Sequence, residues 1–373
     1  MESKPHVIID NSSCYIKGGF SGEYSPRCVF PNCIGFPKDG LDVFIGSEIQ
    51  DKFSLLEIVN YPIENGVITD WYDMEKIFNH LFTNELEIDP SDYNILLTDL
   101  NGSKESKEKM AEIMFETFNS SGFYIVDTGI LPLYSQGIFS GMSVHLGSDL
   151  ITFYPIFDGY IIKESIIKYN FGGNDLTKFM YHLTNKTDLL KHIINQFVNK
   201  KSNILTIDKG FISEEVKEKV CYCALNLKEE LKTVENYDYE LPDGNHIITK
   251  EERILCPEAL FDPTLINEKE SSIAKGCYDS IQKCAISMKK NLYNSIILSG
   301  GTSMFKGLPE RFEKELKALV QEATQKLIKI LASYDRKYSV WIGGSVLASL
   351  CKKWITKFEY EESGRSIIDR LNN

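Results

Sequence analysis

Two side-chain chemistries are available to this chain in quantity, thiol and imidazole, and neither is spaced for metal. Nine cysteines are scattered without a CxxC pair, and Cys221 and Cys223 stand two apart on what reads as a helix, where they would point in different directions. Small buried hydrophobes are the expected role for such thiols, all reduced, as in an intracellular protein. The six histidines (His6, His80, His145, His182, His192 and His246) form neither an HxxxH nor an HExxH spacing. A structural metal site is therefore not expected. Three short segments have turn chemistry instead: Asp10-Asn11-Ser12-Ser13-Cys14, Leu146-Gly147-Ser148-Asp149 and Gly300-Gly301-Thr302. Glycines in such turns let the backbone approach a ligand closely.

The elements that position these turns alternate between strand and helix. Val7-Ile8-Ile9 leads into the first turn and Tyr15 to Phe20 returns from it; Ser143-Val144-His145 and Leu150 to Tyr154 flank the second. Two such units, each opening a run of strands and helices, suggest a duplicated α/β architecture. Lys104 to Ser120 reads as an amphipathic helix with Met110, Ile113, Met114 and Phe118 on one face. Tyr124-Ile125-Val126 is a buried strand. Ser213 to Leu231 reads as one helix with Ser213 as N-cap. Ser295 to Leu298 is the strand before Gly300, Leu308 to Val320 is helical, and Lys326 to Leu331 is the next strand.

At 373 residues the chain suits two lobes rather than one small core. No Gly/Ser linker divides it, so the lobes must be interleaved. A formal charge of −12 disfavours direct binding to nucleic acid or to an anionic membrane. No apolar stretch approaches the roughly 20 residues of a spanning helix, and MESKPHVIID lacks the pattern of a signal peptide.

Several longer blocks resemble actin: NYPIENGVITDWYDMEKIFNH (Asn60 to His80), KEKMAEIMFETFN (Lys107 to Asn119), YELPDG (Tyr239 to Gly244), CPEALFDP (Cys256 to Pro263), ILSGGTSMFKGL (Ile297 to Leu308) and RKYSVWIGGSVLASL (Arg336 to Leu350). The match runs in order from Val7 to Arg370. Heat-shock ATPases and sugar kinases share the actin fold but not these blocks. The resemblance implies an α/β actin fold of two lobes and four subdomains around a nucleotide cleft. By similarity, residues 1–31, 62–135 and 339–373 form subdomain 1, and 32–61 form subdomain 2. Residues 136–171 and 269–338 form subdomain 3, and 172–268 form subdomain 4. The chain would cross between lobes near Thr128–Gln136 and Tyr334–Ser339.

The resemblance also assigns roles. On the adenosine side, Gly300, Gly301 and Thr302 with Met304 and Phe305 match the family's glycine turn and base-stacking segment. Lys217, Glu218 and Lys337 match positions that contact sugar and base. On the phosphate side, Ser12, Ser13, Cys14 and Lys17 match the first hairpin, with Asp10 holding a divalent cation through water. Ser12 and Cys14 replace glycines, at roughly 1–2 kcal/mol each if those turns need a positive φ. In the second hairpin, Gly147 is kept, His145 and Ser148 replace the two metal-side aspartates, and Asp149 replaces a glycine. A carboxylate about 4 Å from a phosphate charge costs roughly 4 kcal/mol at an effective dielectric near 20, unless it turns away. Thr128 replaces the catalytic glutamine and Thr152 a histidine beside the attacking water. Threonine is too short to position that water, so no catalytic residue is assigned and negligible hydrolysis is expected. The implied ligand is ATP or ADP with magnesium, or none.

Surfaces for self-assembly are also eroded. The loop Pro37 to Gly46 is much shorter than the actin pattern, the plug segment Leu265 to Ser272 has a charged tip, the acidic N-terminus is reduced to Glu2, and Asn65 replaces a histidine that is often methylated. An actin-like filament is not expected. Tyr134, Gly137, Ile342, Leu347 and Leu350 match the apolar groove that accepts partner helices, although Ser135 and Phe139 change its shape. The implied role is a structural subunit of a larger cytoskeletal or motor-associated protein assembly in the cytoplasm. The competing readings are a filament-forming ATPase, a subunit of a nuclear chromatin complex, and a small-molecule kinase of the same superfamily.

Overall fold

A computed structural model describes residues 6–38, 40, 42–52, 55–100, 102–186, 204–241, 244, 246–351 and 353–372. The chain forms two compact units, Met1–Phe139 with Tyr338–Asn373, and Ser140–Lys337. The interleaving expected from the missing linker is therefore present. The backbone passes between units at Phe139/Ser140 and at Lys337/Tyr338. The second passage falls inside Tyr334–Ser339, while the first comes later than Thr128–Gln136. The intervening helix Leu131–Tyr134 stays with the first unit because Leu131 and Leu133 are fully buried there, under the helix Ser339–Leu350.

The first unit is built on a six-stranded sheet, ordered Ile355–Thr356, Gly122–Asp127, Asn94–Asp99, His6–Asn11, Tyr15–Phe20, Cys28–Pro31. His6–Asn11 and Tyr15–Phe20 form the expected antiparallel hairpin, and His6–Asn11 runs parallel to Asn94–Asp99. Val7, Ile8 and Ile9 are all fully buried, as a strand covered on both faces requires. Asp10, Asp99 and Asp127 come at the carboxyl ends of three parallel strands, the usual place for a site in such sheets. The helix Lys104–Glu112 buries Met110 as expected, and Ile113, Met114 and Phe118 continue that face through a wider π turn, Ile113–Thr117.

The second unit repeats the plan. Gly141–Leu146 and Ile151–Phe157 form an antiparallel hairpin, and Gly141–Leu146 runs parallel to Ile296–Ser299, which in turn pairs with Ile330–Leu331. One helical expectation fails here. Ser213 to Leu231 is two helices, Ile204–Val220 and Leu227–Thr233, so Ser213 lies inside a helix and is no N-cap. The break occurs because Tyr222 and Cys223 donate their amides to the carbonyls of Arg253 (3.0 Å) and Lys306 (2.8 Å). Cys221 and Cys223 consequently lie on an extended link, not a helix, and both are buried.

The C-terminal segment is held by a titratable hub. The helix Lys357–Ser363 opens with a capping box between Thr356 and Glu359, and Glu359 also receives Arg370. Arg370, followed by the Thr356 contacts, holds the Glu359 carboxyl down to about 2 from an ordinary 4.5. A depressed acid stabilises the fold above its unfolded value and loses that contribution as pH falls toward the folded one. Glu359→Gln should therefore flatten the dependence of stability on pH between about 4.5 and about 2, read by urea denaturation across that window. An unchanged slope would show that the hub does not couple to folding.

Candidate nucleotide site

In the first unit the strand ends hold the first turn by its own side chains. Lys17 Nζ donates to Asp10 Oδ2 at 2.6 Å, and the Thr98 hydroxyl donates to Asp10 Oδ1 at 3.2 Å. Asn11 N–H donates to Thr98 Oγ1 at 3.0 Å. Asn32 grips the turn from the neighbouring segment: its side-chain amide donates to Ser12 O at 2.8 Å, and its main-chain N–H to Cys14 O at 2.8 Å. Neither Ser12 nor Cys14 has a positive φ, so the left-handed penalty attached to replacing glycine is not incurred. Thr128 is 4% exposed, and both its N–H (2.9 Å) and its hydroxyl (3.1 Å) donate to the Asp99 carbonyl. Its hydroxyl proton is thus committed to the backbone.

In the second unit His145 is buried at the end of Gly141–Leu146, with Nδ1 3.1 Å from Ser299 Oγ on the neighbouring strand. The following turn is locked through its carbonyls. Gly147 O accepts from Gly173 N–H (3.0 Å) and Thr302 Oγ1 (2.8 Å), and Ser148 O accepts from Asn174 N–H (2.8 Å). Asn174 also donates its side-chain amide to Asp149 Oδ1 at 2.7 Å. The Asp149 carboxylate thus has a protein donor of its own. Thr152 is fully buried, and its hydroxyl has no hydrogen-bond partner among the described residues.

The glycine turn of the second unit follows Ile296–Ser299. Gly300 has φ 85 and ψ 159, and a Cβ there would lie 2.3 Å from Leu146 O. Gly301, by contrast, is exposed, and among the described residues a Cβ would meet no heavy atom within 4 Å beyond its chain neighbours. Arg336 clamps this turn, donating from Nε (3.2 Å) and Nη2 (2.9 Å) to Ser303 O. Met304 is half-buried, while Phe305 is 7% exposed and belongs to the buried core of the unit. Lys217 is buried, its ammonium donating to Gly173 O (3.1 Å) and Thr177 Oγ1 (2.7 Å), whereas Glu218 and Lys337 are exposed. Lys217 therefore braces the segment that locks the second turn.

The family model for actin matches residues 1–372. The chain belongs to the actin family. The mixed α/β sheets and helices of both units are those of an actin fold. In this actin-family chain the exposed, unobstructed backbone at Gly301 fits the close approach of a nucleoside. The hydrolytic positions fit less well. Thr128 is tied to a carbonyl, and His145 is paired with Ser299 where the family pattern has a carboxylate. Asp10 retains acceptor capacity beyond Lys17 and Thr98. Among the described residues no cluster of three His, Cys, Asp or Glu side chains is set to hold a metal ion, and no helix is long and apolar enough to cross a membrane.

The groove positions divide. Ile342 and Leu347 are half-buried against Trp341 and Ala348, Leu350 is 72% exposed, and Gly137 adopts φ 66 in an open turn. Tyr134 packs its ring 5.7 Å from exposed Phe139. In the loop Pro37 to Gly46, Asp39 and Leu41 lie outside the described residues. In the plug segment Leu265 is exposed and Asn267 takes φ 62. Sequence reasoning missed Asn32, Thr98, Asn174 and Arg336, the residues that fix the turns. Three of them hold a main-chain group of a residue distant in sequence, and Thr98 bridges Asn11 N–H to Asp10, so no local pattern marks them.

Proposed function

We propose that this chain is an actin-like structural subunit of a multiprotein assembly, cytoskeletal or motor-associated and cytoplasmic. Its nucleotide site retains an adenosine side and has lost its hydrolytic side. The observation that carries this reading is the Thr128 hydroxyl, held on the Asp99 carbonyl where the family's pattern has a longer amide that orients water. A hydroxyl so committed has no second proton to offer an attacking water. ATP or ADP, with magnesium held through water by Asp10, would then serve as a structural ligand. By the family resemblance, Ser13, Cys14 and Lys17 of the first unit and Gly147 and Ser148 of the second are candidates for phosphate contact, and Gly301, Thr302, Met304 and Lys337 of the second unit for nucleoside contact. The ligand would supply cohesion by binding only the folded state. The charged plug tip and shortened loop favour defined heterologous partners over self-polymerisation.

Three measurements test this together. Magnesium-ATP is expected to raise the melting midpoint, with a saturated site contributing about 2.7 kcal/mol at a hundredfold excess over Kd. Phosphate release should stay at the level of the blank, and no polymer should sediment. Native purification should recover a fixed set of other subunits. Sustained turnover, or helical polymers of the isolated chain, would overturn the reading.

A further inference from the structure

Three sulfur side chains meet in the core of the second unit, and from their placement we infer that Met180, Cys221 and Cys256 form a binding site for copper(I). Met180 lies on the helix Gly173–Lys186, Cys221 opens the extended link after Ile204–Val220, and Cys256 lies on the helix Glu252–Glu258. Tyr222 N–H, donating to Arg253 O at 3.0 Å, holds the link against the last of these helices, one turn before Cys256. The Cys221 thiol lies 4.0 Å from Met180 Sδ and is also hydrogen-bonded to Cys256. The Cys256 thiol donates to Leu176 O at 3.4 Å, one turn before Met180 on the same helix. Positions 180, 221 and 256 form no short motif, so cysteine spacing alone does not mark the site.

The donor set decides the ion. Two thiolates and a thioether are soft ligands, the kind that select copper(I). Magnesium and calcium require oxygen ligands, and structural zinc requires a fourth donor. Among the described residues no third His, Cys, Asp or Glu joins this group to supply one. A triangle of sulfurs with sides near 4.0 Å has its centre about 2.3 Å from each corner, the length of a metal–thiolate bond. Charge also favours a monovalent ion. The buried Lys217 ammonium stands in the last turn of Ile204–Val220, and its charge acts on Cys221 against the effect of burial. One ammonium, one copper(I) and two thiolates sum to zero, so the filled site brings no net charge into the core.

Binding exchanges protons for the metal. Burial, and after it the hydrogen bond with Cys256, holds the Cys221 thiol well above its ordinary pKa, so Cys221 is a thiol while the site is empty. Copper(I) bonds to both cysteine sulfurs as the two thiol protons leave to solvent, and Met180 adds its thioether without losing a proton. With two protons released, affinity should rise roughly a hundredfold per pH unit. Met180 and Cys256 are fully buried and Cys221 is 6% exposed, which keeps small competing thiols off the bound ion. The filled site ties three helical segments together whether or not a nucleotide is bound, and it stabilises the unit by binding only its folded form.

The test loads the reduced full-length protein with copper(I) under argon and then dialyses it against bathocuproine disulfonate. The expected result is one copper kept per chain, with X-ray absorption placing three sulfurs about 2.3 Å from it. Cys221→Ser should give up its copper to the chelator. Met180→Leu nearly conserves side-chain volume, so it keeps the assignment readable if Cys221→Ser does not fold; it should hold copper about tenfold more weakly or worse. Cys351→Ser, which removes a half-exposed thiol elsewhere, should leave retention unchanged. Loss of copper from the wild type, equal retention by Met180→Leu, or a sulfur count other than three overturns the assignment. A Cys221–Cys256 disulfide isolated in place of bound copper does so as well.

Discussion

Gly343→Ala is expected to leave little folded protein. A Cβ at Gly343 would sit 1.9 Å from the carbonyl oxygen of Leu131 and 2.6 Å from its carbon. Both are main-chain atoms, so no rotamer change relieves the contact. Relief requires separating the helix Ser339–Leu350 from Leu131–Tyr134, and that helix also carries the fully buried Trp341, whose indole N–H donates to Ile8 O at 3.1 Å. Overpacking typically costs about 1–3 kcal/mol, occasionally more, when side chains can adjust. With backbone as the obstacle the loss belongs at or above the upper end, a large share of a stability of roughly 5–15 kcal/mol. The urea midpoint and soluble yield read the effect. Leu350→Ala, on the same helix but 72% exposed, is the control and should stay within about 0.5 kcal/mol of wild type. Equal midpoints for the two variants would mean that the helices part without penalty.

The hairpins and the duplicated plan were legible because they rest on local signals: an apolar run, a turn, an alternating return. Met110, Ile113, Met114 and Phe118 were legible for the same reason, since a helical face is set by spacing alone. What was not legible depended on partners far along the chain. Nothing near Tyr222 announces that Arg253 and Lys306 will take its backbone and that of Cys223 out of a helix. Phe305 follows Met304 in the matched block, and it joins the buried core of the second unit while Met304 stays half-buried. The cost assigned to Ser12 and Cys14 presumed a left-handed turn, and Asn32 holds the turn in a form that L residues accept. Lys217 matches a ligand-contact position, and the acceptors that its buried ammonium needs, Gly173 O and Thr177 Oγ1, stand some forty residues earlier where no local pattern marks them.

Two adjacent glycines separate architecture from ligand binding, and their alanine variants should behave oppositely. Gly300 occupies φ 85, ψ 159, a region essentially restricted to glycine, where strain costs of order 1–3 kcal/mol. Its Cβ would also strike Leu146 O at 2.3 Å, at the strand end that leads into Gly147. Gly300→Ala should therefore lose several kcal/mol, about 1–3 from the contact added to the strain, and pull Thr302 away from Gly147. Gly301 has no positive φ and open space around its Cβ direction, so Gly301→Ala should change the ligand-free midpoint by no more than about 0.5 kcal/mol. That neutrality makes it a probe of the ligand. If a nucleoside lies against this turn, the new methyl occupies its approach, and the rise in melting midpoint given by magnesium-ATP should largely vanish in Gly301→Ala alone among stable variants. A full rise in that variant would seat the nucleotide elsewhere on the chain. No rise in the wild type would mean that the turn is kept for the strand-to-helix connection that Gly300 makes, without a ligand.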